Sequence, residues 1–153
     1  MDTFKLKPWL NRWNLIPDGP PFITHTSQLF PVKTATHGIK AMLKVTDDKD
    51  EQSGNALLAW WEGNGAAQVI AHENEAILLS RATGTASLSA MSREGQDDVA
   101  CRILCTTANR LHTFPKKPLP QLTSLHEWFY PLKPAALKYG GVLTRCAEIS
   151  EEL

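Results

Sequence analysis

Lys44 sits in Ala41-Met42-Leu43-Lys44-Val45, a short apolar run with period-two alternation. Met42 and Lys44 fall on one face of such a strand, and Ala41, Leu43 and Val45 on the other. An ammonium group there is costly to bury unless an anion meets it. The lysine either snorkels to water at the strand end or holds an anion such as a phosphate. Glu51 follows in the first turn of a helix opening at Asp47 or Asp48. Helix positions 51, 54, 55 and 58 share a face, which places Glu51 at the margin of the packed surface. Its carboxylate can turn the Lys44 ammonium toward a phosphate. It can equally cap its own helix, because Asp48-x-x-Glu51 has capping-box spacing. The third feature is Ile77-Leu78-Leu79-Ser80-Arg81-Ala82-Thr83-Gly84, an apolar strand running into a linker of small residues. Backbone groups beyond the end of a sheet need no strand partner and can pair with an adenine edge. An ordinary strand exit has the same pattern.

The elements that must position these groups follow from local signals. A short helix is expected around Pro8 to Trp13, and a turn at Pro17-Asp18-Gly19-Pro20-Pro21. Two short strands lie within Phe22 to Thr34, around the polar turn Thr24-His25-Thr26-Ser27. Ile39 to Val45 is a third strand, after a turn at Gly38. The helix runs from about Asp48 to Glu62, with Leu57, Leu58 and Trp61 toward the sheet and Gly54 allowing close approach. Gly63-Asn64-Gly65 ends it. Gln68 to Glu73 and Ala76 to Ser80 form a hairpin. The order is that of an α+β lobe, a five-stranded antiparallel sheet with one helix packed on it. Trp60 and Trp61 suit a core and also a ligand groove.

Beyond Gly84 the pattern is helical. One long helix is expected from Ser92 or Arg93 to about His112, with Cys101, Leu104, Cys105, Ala108 and Leu111 on one stripe. Phe114 to Pro120 is a proline- and lysine-rich connection. Ser124-x-x-Glu127 opens a short helix to Tyr130, Pro131 and Pro134 interrupt it, and Lys138 to Leu153 is helical with a weak point at Gly140-Gly141. The division is residues 1–84 as one lobe and 85–153 as a helical segment.

With 153 residues, 42% hydrophobic and 21% charged, the chain can bury a core. Sixteen basic and sixteen acidic residues leave a formal net charge of +0, with no basic surplus for a nucleic-acid backbone. No run approaches the length of a membrane span, and the N-terminus lacks a signal-peptide pattern. The expected location is the cytoplasm, with neither nucleic acid nor membrane as partner. Cys101, Cys105 and Cys146 are not in metal-ligand pairs and read as small buried hydrophobes.

The combination is more specific than its parts. The stretches THTSQLFPV, AMLKV, E-x-x-G-x-x-LL-x-WW-x-G-x-GAA and ILLSRATG-x-x-SL resemble the aminoglycoside and hydroxyurea antibiotic resistance kinases. These are streptomycin 6-phosphotransferase-like members of the kinase-fold superfamily. The likeness covers about Trp13 to Leu88 well and implies a kinase-like small lobe followed by helices of an incomplete large lobe. By that resemblance ATP is the cofactor, Lys44 contacts its α- and β-phosphates, and Glu51 pairs with Lys44. Ser80 and Ala82 receive adenine through the Ser80 carbonyl and the Ala82 amide, with Leu79 behind the base. Thr26 and Ser27 lie over the phosphates in a turn without the glycines of protein kinases. The acceptor is an aminoglycoside-like hydroxyl.

The family's HGDxHxxN loop is missing, and none of the five histidines stands in an H-G-D context. Asp97-Asp98, the acidic pair beyond the linker, favours a helix N-terminus. The chain therefore reads as an N-terminal portion, catalytically silent alone, with Mg²⁺ ligands expected in the missing C-terminal part. The alternative is a non-catalytic nucleotide-binding or interaction module. Apolar surface left uncovered on the helical part predicts a homodimer.

Overall fold

A computed structural model describes residues 6–113 and 117–152. Two compact units meet in the sequence between Pro120 and Gln121.

The first unit opens with α1 (Leu6–Arg12), β1 (Leu15–Pro17), β2 (Phe22–Ile23), β3 (Gln28–Thr34) and β4 (Lys40–Val45). It continues with α2 (Lys49–Trp61), β5 (Val69–Glu73), β6 (Ala76–Ser80), α3 (Leu88–Arg93) and α4 (Asp97–Leu111). The strands form one antiparallel sheet in the order β1-β3-β4-β6-β5, with β2 also on β3. The sheet therefore has six strands rather than the expected five. The extra one is β1, which pairs Leu15 with Thr34 and Pro17 with Val32, while β2 pairs Phe22 with Leu29 farther along β3. Asp18 to Pro21 breaks what would otherwise be one edge strand. Proline lacks the N–H a ladder requires, so it is tolerated at such an edge.

The register sorts the side chains. Leu29, Lys44 and Ile77 are aligned across β3, β4 and β6, as are Pro31, Met42 and Leu79, so these six share a face. The opposite face carries Phe30, Val32, Ala41, Leu43, Val45, Ala76 and Leu78, which form the core with Leu6 and Leu15. Trp9, Leu10 and Trp13 pack against that cluster. The alternation read in Ala41–Val45 is thus realised, with Ala41 and Leu43 fully buried.

Helix α2 packs on β5 and β6. Asp48 caps it, accepting from the Asp50 and Glu51 amides, and Glu62 ends it in the left-handed conformation with φ 53°. Its most deeply buried residues are Asn55 and Trp60, whereas Leu57, Leu58 and Trp61 are half-buried. Gly54 is exposed, and a Cβ there would meet nothing within 4 Å. The expected close approach at Gly54 does not occur, because the helix turns its Asn55 side inward. Both indole N–H groups of the pair donate to backbone carbonyls, Trp60 to Pro118 at 2.8 Å and Trp61 to Leu111 at 3.0 Å.

The long helix expected from Ser92 or Arg93 to about His112 starts later, at Asp97, and Ser92 and Arg93 instead close a separate, unexpected helix, α3. Gly95, at φ 80°, ends α3, and α4 starts afresh with Asp97 and Asp98 in its first turn. Cys101 and Cys105 are exposed and Cys146 is half-buried, so the first two do not serve as core residues. Their helix turns only Ala100 fully inward.

The second unit holds α5 (Leu125–Phe129), α6 (Leu132–Tyr139) and α7 (Val142–Ser150). Ser124 and Glu127 make the full reciprocal capping box. Pro131 precedes α6, and Pro134 lies in its first turn, where a missing N–H costs little. Gly140 and Gly141, at φ 63° and 61°, separate α6 from α7. Residues 114–116 of the expected connection lie outside the described residues.

Candidate functional site

Lys44 leaves β4 on the face opposite the core and forms an ion pair with Glu51. Its side chain is 16% exposed and that of Glu51 34%. The partly buried setting makes this a stronger pair than an open surface contact, since solvent screens it less. The Thr26 hydroxyl donates to the other carboxylate oxygen at 2.9 Å. Hydrogen bonding from Lys44, then from Thr26, holds the Glu51 carboxyl below its ordinary range, against an opposing desolvation effect. Ser27 is buried, and its hydroxyl adds a weaker lowering influence on Glu51 without making a close hydrogen bond. Sequence reasoning left helix cap and ion pair as alternatives for Glu51. The structure gives the cap to Asp48 and the ion pair to Glu51.

The turn carrying Thr26 and Ser27 has no glycine, and side chains fix it instead. The Thr24 hydroxyl donates to the Ser27 carbonyl at 3.0 Å and accepts from the Ser27 amide at 2.9 Å. A cavity of about 580 Å³ opens beside this turn, bounded by residues 23–28 and 45–48. Neither Lys44 nor the linker lines it, so it lies to one side of the path between them.

The linker end is built differently. Leu79 shares the face of Lys44 and stands opposite Met42, while Ser80 stands opposite Ala41. Ser80 is three residues along β6 from Ile77, the partner of Lys44, a distance of about 10 Å at the strand rise. The Ser80 amide donates to the Gln68 carbonyl at 2.8 Å, and the Gln68 amide donates to the Ser80 hydroxyl at 3.2 Å. The hydroxyl thus takes the bond that the Ser80 carbonyl would otherwise receive. Among the described residues no hydrogen bond engages the Ala82 amide. Arg81, between them, points back to an ion pair with Asp18 and also donates to the Asp18 carbonyl at 3.4 Å. Asp18 is tied to β3 through its amide, which donates to the Pro31 carbonyl at 2.8 Å. The Arg81 hydrogen bond keeps the Asp18 carboxyl below its usual range.

Lys44, Glu51, Thr26 and Ser27 are therefore together at one end of the face. Leu79, Ser80 and Ala82 stand at the other. Two residues escaped the sequence reading. Asp18 reads in the sequence only as part of a turn, although an acidic residue in a proline-rich turn and an arginine in a linker are a readable charge pair. Thr46, between the strand and the helix cap, gave no signal beyond a hydroxyl two residues before Asp48.

The aminoglycoside/hydroxyurea antibiotic resistance kinases match residues 12–153. The chain belongs to that family. The match extends through the helical residues beyond Leu88, where few diagnostic positions stand out. A streptomycin 3''-kinase of Klebsiella pneumoniae is 43% identical over 144 residues, covering 94% of this chain and 53% of the relative. A streptomycin 6-kinase of Streptomyces griseus is 31% identical over 112 residues, covering 71% of this chain and 35% of the relative. The chain spans about half the length of the first of these kinases and a smaller share of the second. No solved structure matches it. Among the described residues no helix is long and apolar enough to cross a membrane.

Proposed function

We propose that these residues are the nucleotide-holding part of an ATP-dependent phosphotransferase acting on a hydroxyl of an aminoglycoside-like molecule. The observation that carries the reading is the Lys44–Glu51 pair, oriented by Thr26, at one end of a sheet face whose other end presents unengaged backbone groups of the linker. A fixed ammonium with a carboxylate behind it suits the α- and β-phosphates. The Ser80 carbonyl and Ala82 amide form an acceptor and a donor suited to an adenine edge, with apolar Leu79 behind it. Bound ATP would supply the γ-phosphoryl group. The protein's part here is to hold the phosphates in place and offset their charge.

The lobe division belongs to the same reading, with residues 1–84 as the kinase-like small lobe and 85–153 as the start of a larger helical lobe. These 153 residues contain no H-G-D stretch. We place the group that orients the acceptor hydroxyl, and the Mg²⁺ ligands, outside them, so that this span binds nucleotide without transferring phosphate. Val99, Ile103 and Leu104 are exposed on α4, which supports self-association of the isolated chain. Sedimentation showing only monomer at high concentration would contradict that point.

The test is calorimetric titration of the chain with Mg²⁺-ATP, beside Lys44→Ala. Binding that the substitution weakens supports the nucleotide site. Equal binding by both proteins would remove Lys44 from it, and streptomycin phosphorylation above the Lys44→Ala control would overturn the silence assigned to this span.

A further inference from the structure

Thr46, the second residue after Lys44, is 2% exposed and hydrogen-bonds four residues from three segments. Its hydroxyl donates to the Thr26 carbonyl at 2.6 Å and accepts from the Asp48 amide at 3.1 Å. Its amide donates to the Glu75 carbonyl at 2.8 Å, and its carbonyl accepts from Gln52 Nε2 at 3.2 Å. Two of these bonds belong to a closed circuit. Thr46 donates to the Thr26 backbone, and the Thr26 hydroxyl donates to Glu51. The Glu51 amide donates to Asp48 Oδ1 at 3.0 Å, and the Asp48 amide returns to the Thr46 hydroxyl. The circuit joins the turn at 24–27 to the first turn of α2 and fixes both relative to the strand carrying Lys44.

We propose that Thr46 is a positioning residue for phosphate binding, setting the turn and Glu51 as one unit around the Lys44 ammonium; this rests on the nucleotide reading above. The chemistry accounts for the residue type. Only a hydroxyl can donate to one backbone group and accept from another at the same point. Valine has nearly the same shape but would leave the Thr26 carbonyl and the Asp48 amide without their partner in a buried place, which costs more than a missing exposed bond. Glycine-rich phosphate turns adapt through backbone freedom. This turn, Thr24-His25-Thr26-Ser27, has none of that freedom, so its placement depends on the hydroxyl behind it. A threonine that merely stabilised the strand-to-helix corner would affect the whole face alike. One that positions the phosphate groups affects only ligands that carry phosphate.

The experiment compares Thr46→Val and Thr46→Ser with the unsubstituted chain by titration with ATP and with adenosine, and by amide hydrogen exchange without ligand. Thr46→Val is expected to weaken ATP about tenfold and leave adenosine within about twofold, while Thr46→Ser stays near the parent. Residues 24–27 and 49–52 should lose exchange protection together in Thr46→Val. Unchanged ATP affinity in Thr46→Val, or an equal loss for ATP and adenosine, overturns the proposal. Thr26→Val opens the circuit at another point and should reproduce the exchange pattern even if Thr46→Val folds poorly. Failure of the parent chain to bind ATP would count against the nucleotide reading instead. The exchange data then decide the circuit: joint loosening of the two segments sustains it, and independent behaviour refutes it.

Discussion

The two ends of the candidate site are held in opposite ways. At the Lys44 end, side chains from β4, α2, the β2–β3 turn and the β4–α2 junction bond one another, and Glu51, Asp48 and Thr46 are each restrained by more than one neighbour. At the linker end the Ser80 carbonyl and the Ala82 amide are left open, and one charged pair, Arg81 with Asp18, holds the linker from outside. On the nucleotide reading proposed above, the contrast matches the demands of the two halves of a nucleotide. Phosphates carry concentrated charge and reward a preorganised cation. A base edge asks for one donor and one acceptor, and backbone groups provide these without burying any further charge.

The most severe way to break this contrast is Lys44→Ala. It should lower ATP affinity by about 10- to 100-fold, the range of charge-assisted hydrogen bonds, and leave adenosine binding unchanged, as read by titration with each. Loss of adenosine binding as well would mean that the two ends are not separable.

Glu51→Gln should come next, with about a tenfold loss for ATP. It also sharpens the comparison through pH. Folding lowers the Glu51 pKa, so near and below its usual value of 4.5 the unfolded chain binds more protons than the folded one. Stability rises with pH through that interval. The contribution is complete above the usual carboxylate range and is lost as pH falls through the lowered folded-state value. Thermal unfolding from neutral pH downward should show a shallower acid decline for Glu51→Gln than for the parent. Parallel declines would remove the pair from the acid response.

Arg81→Ala acts at the other end. It should weaken ATP and adenosine by the same few-fold factor, because it loosens the linker without touching the phosphate side. A loss confined to ATP would contradict the assignment. The smallest effect is expected for Ser124→Ala, which removes the α5 cap. Far-UV circular dichroism should register a small loss of helix, with ATP binding unaltered.

Much of the sheet could be read from sequence because its signals are local. Period two in Ala41–Val45, the hairpin at Glu73-Asn74-Glu75 and the Asp48 cap each depend on neighbouring residues. β1 has only three residues and exists because β3 offers it an edge, a contact made at a distance in sequence. The break at Gly95 lies in the all-polar run Ser92 to Asp98, where no apolar periodicity marks the end of one helix or the start of the next. The inward turn of Asn55 misled the reading of Gly54, since periodicity favours leucine over asparagine for a buried position. Lys44 and Glu51 could be named from residue type and spacing, whereas Thr46 becomes conspicuous only when three segments meet.

The interrupted edge has a further meaning for how copies of this chain can meet. On one margin of the sheet Pro17 closes β1 and Pro20 and Pro21 lie between it and β2, and on the other the ladder between β5 and β6 shifts register between Val69 and Ala71. Prolines and bulges both spoil an edge as a template for an incoming strand. Fibre-like growth by strand addition is therefore discouraged at both margins, and any association between copies is directed to the exposed apolar faces of the helices.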